Sequence, residues 1–282
     1  MNARLFLLAA AAALIPAPAL AWGKTGHRVI AAIAETELSG LARAHIEQIL
    51  GPGESLDEAA NWPDEMRSAP GKYWQKTTVP WHYVDFNGLV YDGPPPEGDA
   101  FEALNRFSLV LRDPNSTLTD KQAALRFIVH LVGDLHQPLH VGRPGDEGGG
   151  KVSLLFFGKP TNLHVVWDSG MPDNEQLSFT ELAAKLERHI SPQDVVRWWD
   201  INPRDWITES AEIREQIYAG LPAGRVPKGN KLKKGQKVLP DLGYEYVFNF
   251  QPVMERQLQR GGVRLAAYLN ALFAQPAPLP RR

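Results

Sequence analysis

The stretch His130-Leu131-Val132-Gly133-Asp134-Leu135-His136-Gln137-Pro138-Leu139-His140 governs how this chain is read. His130 and Asp134 stand four residues apart at the end of an apolar-periodic run (Ala123, Ala124, Phe127, Ile128, Leu131), so both project from one helix face. Pro138 cannot continue that helix and disfavours helical backbone before it, which sends His140 in a new direction. One helix end plus one turn can therefore feed two neighbouring metal centres. His136 lies about 200° round the helix from Asp134 and reads as a supporting or surface residue rather than a ligand. A second pair with the same spacing, His164 and Asp168, follows in Asn-Leu-His-Val-Val-Trp-Asp-Ser-Gly. Imidazole nitrogens mixed with carboxylates are a donor set suited to zinc, although either pair alone is equally a plain hydrogen bond.

Working outward, Arg4, the apolar run Leu5 to Ile15 and the small-residue motif Ala19-Leu20-Ala21 read as a secretory signal over residues 1–21. Pro16 and Pro18 break the apolar run, which is too short to span a membrane. Cleavage after Ala21 predicts an exported chain, periplasmic or extracellular, that begins at Trp22. The free amine and carbonyl oxygen of Trp22 could then chelate one ion, with His27 returning from the first turn of the next helix; the plainer reading of His27 is a helix-start histidine bonded to backbone. Farther on, Asn61-Trp62-Pro63-Asp64-Glu65-Met66-Arg67 sets Asp64 beside two structure-fixing residues and Arg67 a turn later, and Trp81-His82-Tyr83-Val84-Asp85 follows. In isolation Asp64 is a helix-cap aspartate and His82 a core-edge histidine. His45 and His189 are expected to do no chemistry.

The chain has no cysteine, which removes thiolate zinc sites and cysteine nucleophiles. Its 30 basic and 32 acidic residues argue weakly against holding nucleic acid by general positive charge, but bound divalent ions would make the local field positive whatever the net. Arg225 to Lys237 carries six cations and no acid; a solvated loop is favoured over a polyanion-binding arm. Asn115-Ser116-Thr117 is a glycosylation sequon of a kind common by chance. Helical patterns cover roughly 26–36, 41–50, 99–113, 119–137, 163–169, 178–190, 203–220 and 243–273. Val152 to Phe157 reads as a strand and Trp81 to Phe86 as a shorter extended piece, while Gln275 to Arg282 reads as a flexible tail. The expectation is one mainly α domain over residues 22–274 with a small β-hairpin.

Taken together, Trp-Gly-x-x-Gly-His at Trp22, Trp-x-Asp-x-x-Arg at Trp62, His-aromatic-x-Asp at His82, His-x-x-Gly-Asp-x-x-Gln-Pro-Leu-His at His130 and Asn-Leu-His-x-x-Trp-Asp at Asn162 resemble, in order, the motifs of the zinc-dependent single-strand nucleases that also act as 3′-nucleotidases. The absence of cysteine suits a bacterial member. The resemblance implies a mostly helical domain holding three Zn²⁺. It assigns Asp64, His82, His130 and Asp134 to one ion, Trp22, His27 and the shared Asp134 to a second, and His140, His164 and Asp168 to a third. It further implies cleavage of single-stranded DNA and RNA to 5′-phosphate products, with Arg67, Asp64 and Asp134 serving catalysis. Tyr83 would stack a base and Asp85 would hydrogen-bond its edge, although Tyr83 reads equally as a core aromatic. The family's Gly-Gly-Asn is Gly148-Gly149-Gly150 here, so any contact of that asparagine is lost. Neither a membrane nor a protein partner is implied, and the protein is expected to be monomeric. A zinc phospholipase C is the nearest rival, disfavoured by Asp168 and the short Trp22 to His27 spacing. A non-catalytic exported zinc-binding protein is the other, disfavoured because the ligands are dispersed and Arg67 stands beside them.

Overall fold

A helix whose apolar residues run all the way round its surface belongs in the interior, and that is where the second half of Leu118–His136 lies, although Leu118 itself is exposed. From Phe127 to Gly142 every residue is buried, the polar His130, Asp134, His136, Gln137 and His140 included. The computed structural model describes residues 22–224 and 238–274. The expected signal segment, the basic run Arg225 to Lys237 and the tail Gln275 to Arg282 lie outside the described residues.

In chain order the helices are α1 (Lys24–Glu37), α2 (Gly40–Leu50), α3 (Leu56–Ala59), α4 (Trp62–Met66), α5 (Ala100–Arg112), α6 (Leu118–His136), α7 (Leu163–Val165), α8 (Met171–Asn174), α9 (Phe179–Glu187), α10 (Pro192–Trp198), α11 (Pro203–Ala219) and α12 (Tyr244–Phe273). Most starts are chemically marked. The side chains of Ser39, Asp99 and Thr117 cap α2, α5 and α6 by accepting from backbone N–H groups, and Ser178 forms a reciprocal capping box with Glu181 at α9. Helix α12 lies along α1, and the two backbones approach closely because Gly262 has no Cβ. A Cβ there would sit 2.4 Å from Ile33 Cγ2. Helix α6 packs between α5 on one side and α12 on the other, with α1, α4 and α11 closing round its C-terminal half.

The strands are short. β1 (Val84–Asp85) pairs in parallel with β2 (Val141–Gly142), and β3 (Ser153–Phe156) forms an antiparallel hairpin with β4 (Lys159–Asn162). β5 (Asp241–Leu242) adds to β3 in parallel, so the expected hairpin is part of a three-stranded sheet. The predicted extended piece from Trp81 is corrected in part. Trp81 and His82 belong to a 3₁₀ turn, Val79–His82, and only Val84–Asp85 is strand. Pro80 fixes φ near the helical value at the start of that turn, which outweighs the β-favouring aromatics. The predicted helix 163–169 also changes character, because α7 passes into a π-helical turn, Val166–Gly170, and then α8. No helix among the described residues is long and apolar enough to cross a membrane.

Candidate metal centre

α1, α4, the 3₁₀ turn, α6, the turn after α6, and α7 with its π-turn each deliver polar side chains to one region. His82 Nδ1 lies 2.9 Å from His130 Nε2 and 3.3 Å from Asp134 Oδ2, and His130 Nε2 is also 3.3 Å from that oxygen. Asp64 Oδ1 stands 4.0 Å and 3.9 Å from the same two nitrogens. The other oxygen of Asp134, Oδ1, faces His27 Nε2 at 3.4 Å. One carboxylate thus points one oxygen at each of two neighbouring groups. His27 stacks on His130 with ring centroids 4.0 Å apart, so these two groups are contiguous. The remaining residues gather alongside, with His140 Nε2 and His164 Nε2 3.9 Å and 2.9 Å from the carboxylate oxygens of Asp168 and His140 Nδ1 3.6 Å from Asp134 Oδ1. Trp22 is wholly buried against Gly26, and the Gly23 N–H donates to the Asp168 carbonyl (2.7 Å), which ties the start of the described chain beside this third group.

The donor atoms are set for a cation. Both ring nitrogens of His27, His82 Nε2, Asp64 Oδ1 and both oxygens of Asp134 are buried without a hydrogen-bond partner. Orphaned polar atoms of this kind are costly, and here they converge within ligand range. Desolvation pushes the His27, His82 and His130 imidazoles down from their ordinary pKa; neighbouring imidazoles push the first two further. Desolvation also holds Asp134 well above the carboxylate range, reinforced by the charges of Asp64 and Asp168, and burial raises Asp168 to about 6. Neutral imidazole is the form that binds metal, and a cation would reverse the penalty on the carboxylates. The residues present fit metal ions.

Backbone carbonyls orient the imidazoles. His130 Nδ1 meets the Ala60 carbonyl at 2.7 Å, His140 Nδ1 that of His82 at 2.6 Å, and His164 Nδ1 that of Gly148 at 2.9 Å. With the proton on Nδ1, each presents Nε2 to the cluster. Gly148 sits at φ +56°, and a Cβ there would fall 2.3 Å from the Leu139 carbonyl, so the approach to His164 requires glycine. His136 is fully buried, which corrects the surface alternative; its Nδ1 meets the Val132 carbonyl and its Nε2 faces Arg264 at 3.1 Å, behind the cluster. His45 stacks on Phe273 and His189 is an exposed helix-end residue.

A cavity of about 310 Å³ opens onto these groups, lined by Arg67, His82, Tyr83, Asp85, His140 and His164 among others. Arg67 lies 3.6 Å from Asp64 Oδ1. Tyr83 is half-buried, which leaves a ring edge in the cavity wall rather than in the core. Asp85 reaches solvent at the rim, and desolvation with the nearby Asp146 charge raises it to about 6.

A family profile described as S1/P1 Nuclease matches residues 22–274. The chain belongs to this family. Among S1/P1 relatives, Nuclease S1 of Aspergillus oryzae is 26% identical over 295 residues, covering 97% of this chain and 99% of its own length. Endonuclease 4 of Arabidopsis thaliana is 29% identical over 279 residues, covering 91% and 90%. Nuclease P1 of Penicillium citrinum is 28% identical over 279 residues, covering 89% and 97%. Membership of the S1/P1 family makes the protein a hydrolase acting on phosphodiester bonds.

Two residues that support this S1/P1 site were not anticipated. Gln137 donates through its side-chain amide to Asp168 Oδ1 and accepts from the Leu139 N–H at 2.6 Å, pinning the turn to the third group. Its place between Asp134 and His140 was a usable signal. Arg214 is completely buried and donates to the carbonyls of Val141 (2.9 Å), Gly142 (2.7 Å) and Gly88 (2.6 Å), fixing the strand pair that carries Asp85. Nothing in the local sequence of α11 distinguishes it from a surface arginine.

Proposed function

We propose that this protein is an exported, zinc-dependent nuclease that hydrolyses single-stranded DNA and RNA to 5′-phosphate products and removes the phosphate from 3′-nucleotides, acting as a monomer. The observation that carries the reading is the shared Asp134, with one oxygen toward His82 and His130 and the other toward His27, in a cluster that opens onto the cavity containing Arg67 and Tyr83. In this reading three Zn²⁺ are held, one by Asp64, His82, His130 and Asp134, one by Trp22, His27 and Asp134, and one by His140, His164 and Asp168. Bound there, zinc supplies positive charge to a phosphoryl group and acidifies water enough for it to attack near neutral pH.

The chain's own residues do the rest. Arg67 presents a planar donor to the charge that builds on the phosphoryl oxygens, while Asp64 keeps its guanidinium aimed at the cavity. Tyr83 offers an aromatic face or edge to the base, and Asp85 accepts from that base's donor edge. Departure of the 3′-oxygen is supported by membership of the S1/P1 family. A recessed cluster reached through a cavity of this size takes a splayed strand and rejects a stacked duplex.

The test is a substrate panel on zinc-loaded protein: single-stranded and duplex DNA, RNA, 3′-mononucleotides, phosphatidylcholine and a small phosphodiester without a base. Hydrolysis of single strands and 3′-nucleotides is expected, with Tyr83→Ala raising KM on the nucleotides while leaving the small diester unchanged. Turnover of phosphatidylcholine but not nucleic acid would make it a lipase-type phosphodiesterase, and turnover of nothing would leave a zinc-binding protein.

A further inference from the structure

Between Arg67 and Val79 the chain leaves the cavity wall and returns to it, since both residues line the cavity and His82 and Tyr83 follow directly. The excursion between them is therefore an immediate neighbour of the opening. It is chemically one-sided: from Met66 to Val84 there is no Asp or Glu, while Arg67, Lys72 and Lys76 are basic, in a protein whose net charge is −2. Lys72, Tyr73 and Lys76 are all exposed, Tyr73 to 50%, and none of the three has an ion pair among the described residues.

The excursion is also held in shape. Tyr73–Thr77 forms a π-helical turn, a rare geometry that is frequent at functional sites. The Gln75 side chain donates to the Ala69 carbonyl (3.2 Å) and the Thr78 hydroxyl to the Trp74 carbonyl (2.9 Å). Trp74 anchors the turn inward, edge-on to Trp62 at 5.4 Å and stacked over Phe127 at 6.4 Å. Tyr73 stands edge-on to Trp74, leaving part of its ring in solvent. The cavity lining itself also carries the reverse charge. Asp85 and Glu147 line it, and Asp146 lies close enough to Asp85 to raise its pKa. Glu147 is held at φ +56°, a backbone strain that a non-glycine residue bears only where its surroundings impose it.

A polyanion leaving the cavity therefore meets uncompensated positive charge on the excursion, whereas Glu147 in the lining is already paired with Lys151 (3.1 Å). We propose that the 68–78 excursion is a second binding surface for the substrate strand, with Lys72 and Lys76 taking backbone phosphates and Tyr73 stacking a base beyond the scissile position. The surface rests on the nuclease reading above and adds a direction to it: the strand runs over this turn. It also implies that long single strands are bound better than mononucleotides, because only they reach from the cavity to Tyr73.

The experiment compares a long single-stranded oligonucleotide with a 3′-mononucleotide on zinc-loaded protein carrying Lys72→Glu with Lys76→Glu, Tyr73→Ala, or Tyr73→Phe. The charge variant is expected to raise KM for the oligonucleotide about tenfold. It should also reduce the slope of log KM against log salt by about 1.4, from two phosphate contacts at about 0.7 each on a single strand. Tyr73→Ala should raise the oligonucleotide KM about tenfold, as loss of one stacked base does, and Tyr73→Phe should restore it. The mononucleotide KM and kcat should be unchanged in all three. Equal losses on both substrates, or an unchanged oligonucleotide KM and salt slope, would overturn the second surface while leaving the nuclease reading intact. Wild-type protein inactive on both substrates would instead overturn the nuclease reading and, with it, the surface.

Discussion

At Asp134 one carboxylate faces two sets of imidazole nitrogens, whereas Arg67 stands 3.6 Å from Asp64 on the cavity side of the cluster. The two residues should therefore fail differently. Asp134→Asn removes the charge that serves both groups and is expected to abolish metal binding at both along with turnover. Arg67→Ala should leave zinc content unchanged and lower kcat by about 10²-fold, the order of one lost transition-state donor. Elemental analysis beside steady-state rates distinguishes them, and an Arg67 variant that loses zinc or keeps full turnover would remove it from the reaction. The buried carboxylates also make metal loading depend on pH. Asp168, raised to about 6, and Asp134, also raised well above the carboxylate range by burial, carry protons in the metal-free fold at acidic pH, while the depressed imidazoles of His27, His82 and His130 do not. Zinc binding at pH 5 should therefore release protons from carboxylates, and the number from Asp168 should fall as pH rises through about 6. Calorimetry in buffers of different ionisation enthalpy reads that number; a release that does not fall between pH 5 and pH 7 would show that Asp168 is not among the protonated groups.

Among the elements, the start of α1 has the most exacting boundary. Trp22 has no exposed surface, a Cβ on Gly26 would press to 3.0 Å from the Trp22 side chain, and Gly23 is tied to the Asp168 carbonyl. If the Trp22 amine is a ligand, acylating it removes the donor. Protein that keeps even one residue before Trp22 is expected to lose the ion shared with His27, retain the other two and cleave single-stranded DNA far more slowly. Proteolysis back to Trp22, followed by zinc, should restore the rate; an extended protein with three ions and full activity would exclude the amine. The long helices were legible from periodicity and caps: α5, α6, α11 and α12 begin and end within two residues of the patterns. Short elements were not. α3, α4, α8 and α10 span too few residues for a period to show, and His82 sits in a 3₁₀ turn because Pro80 and packing against α6 prevail over the β-preference of its neighbours. The His130/Asp134 and His164/Asp168 pairs could be picked out from local spacing, whereas Trp22, His27, Asp64 and His82 were assigned only through the order of the motifs and the resemblance they carry. Arg214 could not be picked out, because its burial comes from contacts with residues more than seventy positions away.

Across the whole molecule, the groups that gather at the centre come from residues 27 to 168, while α12, which closes the fold from residue 244, supplies none of them. Its part is mechanical. Gly261 and Gly262 let it press onto Ile30 and Ile33 of α1, the helix that carries His27, and Gln257 donates to the His136 carbonyl at the end of α6 (3.2 Å). Protein ending at Leu242 is expected to keep every proposed ligand yet bind no stoichiometric zinc at the site shared by His27, because α1 then has no surface to lie on. A truncated chain that binds zinc and hydrolyses single strands as the full chain does would show that α12 is dispensable. The close fit of α1 against those two glycines has a consequence in time. During synthesis the ligands emerge first and the clamp last, so the chain can carry every ligand and remain inert until its final helix is released and docks. A chain that stops before α12 has docked is therefore expected to lack the zinc site shared by His27 and to cut no nucleic acid.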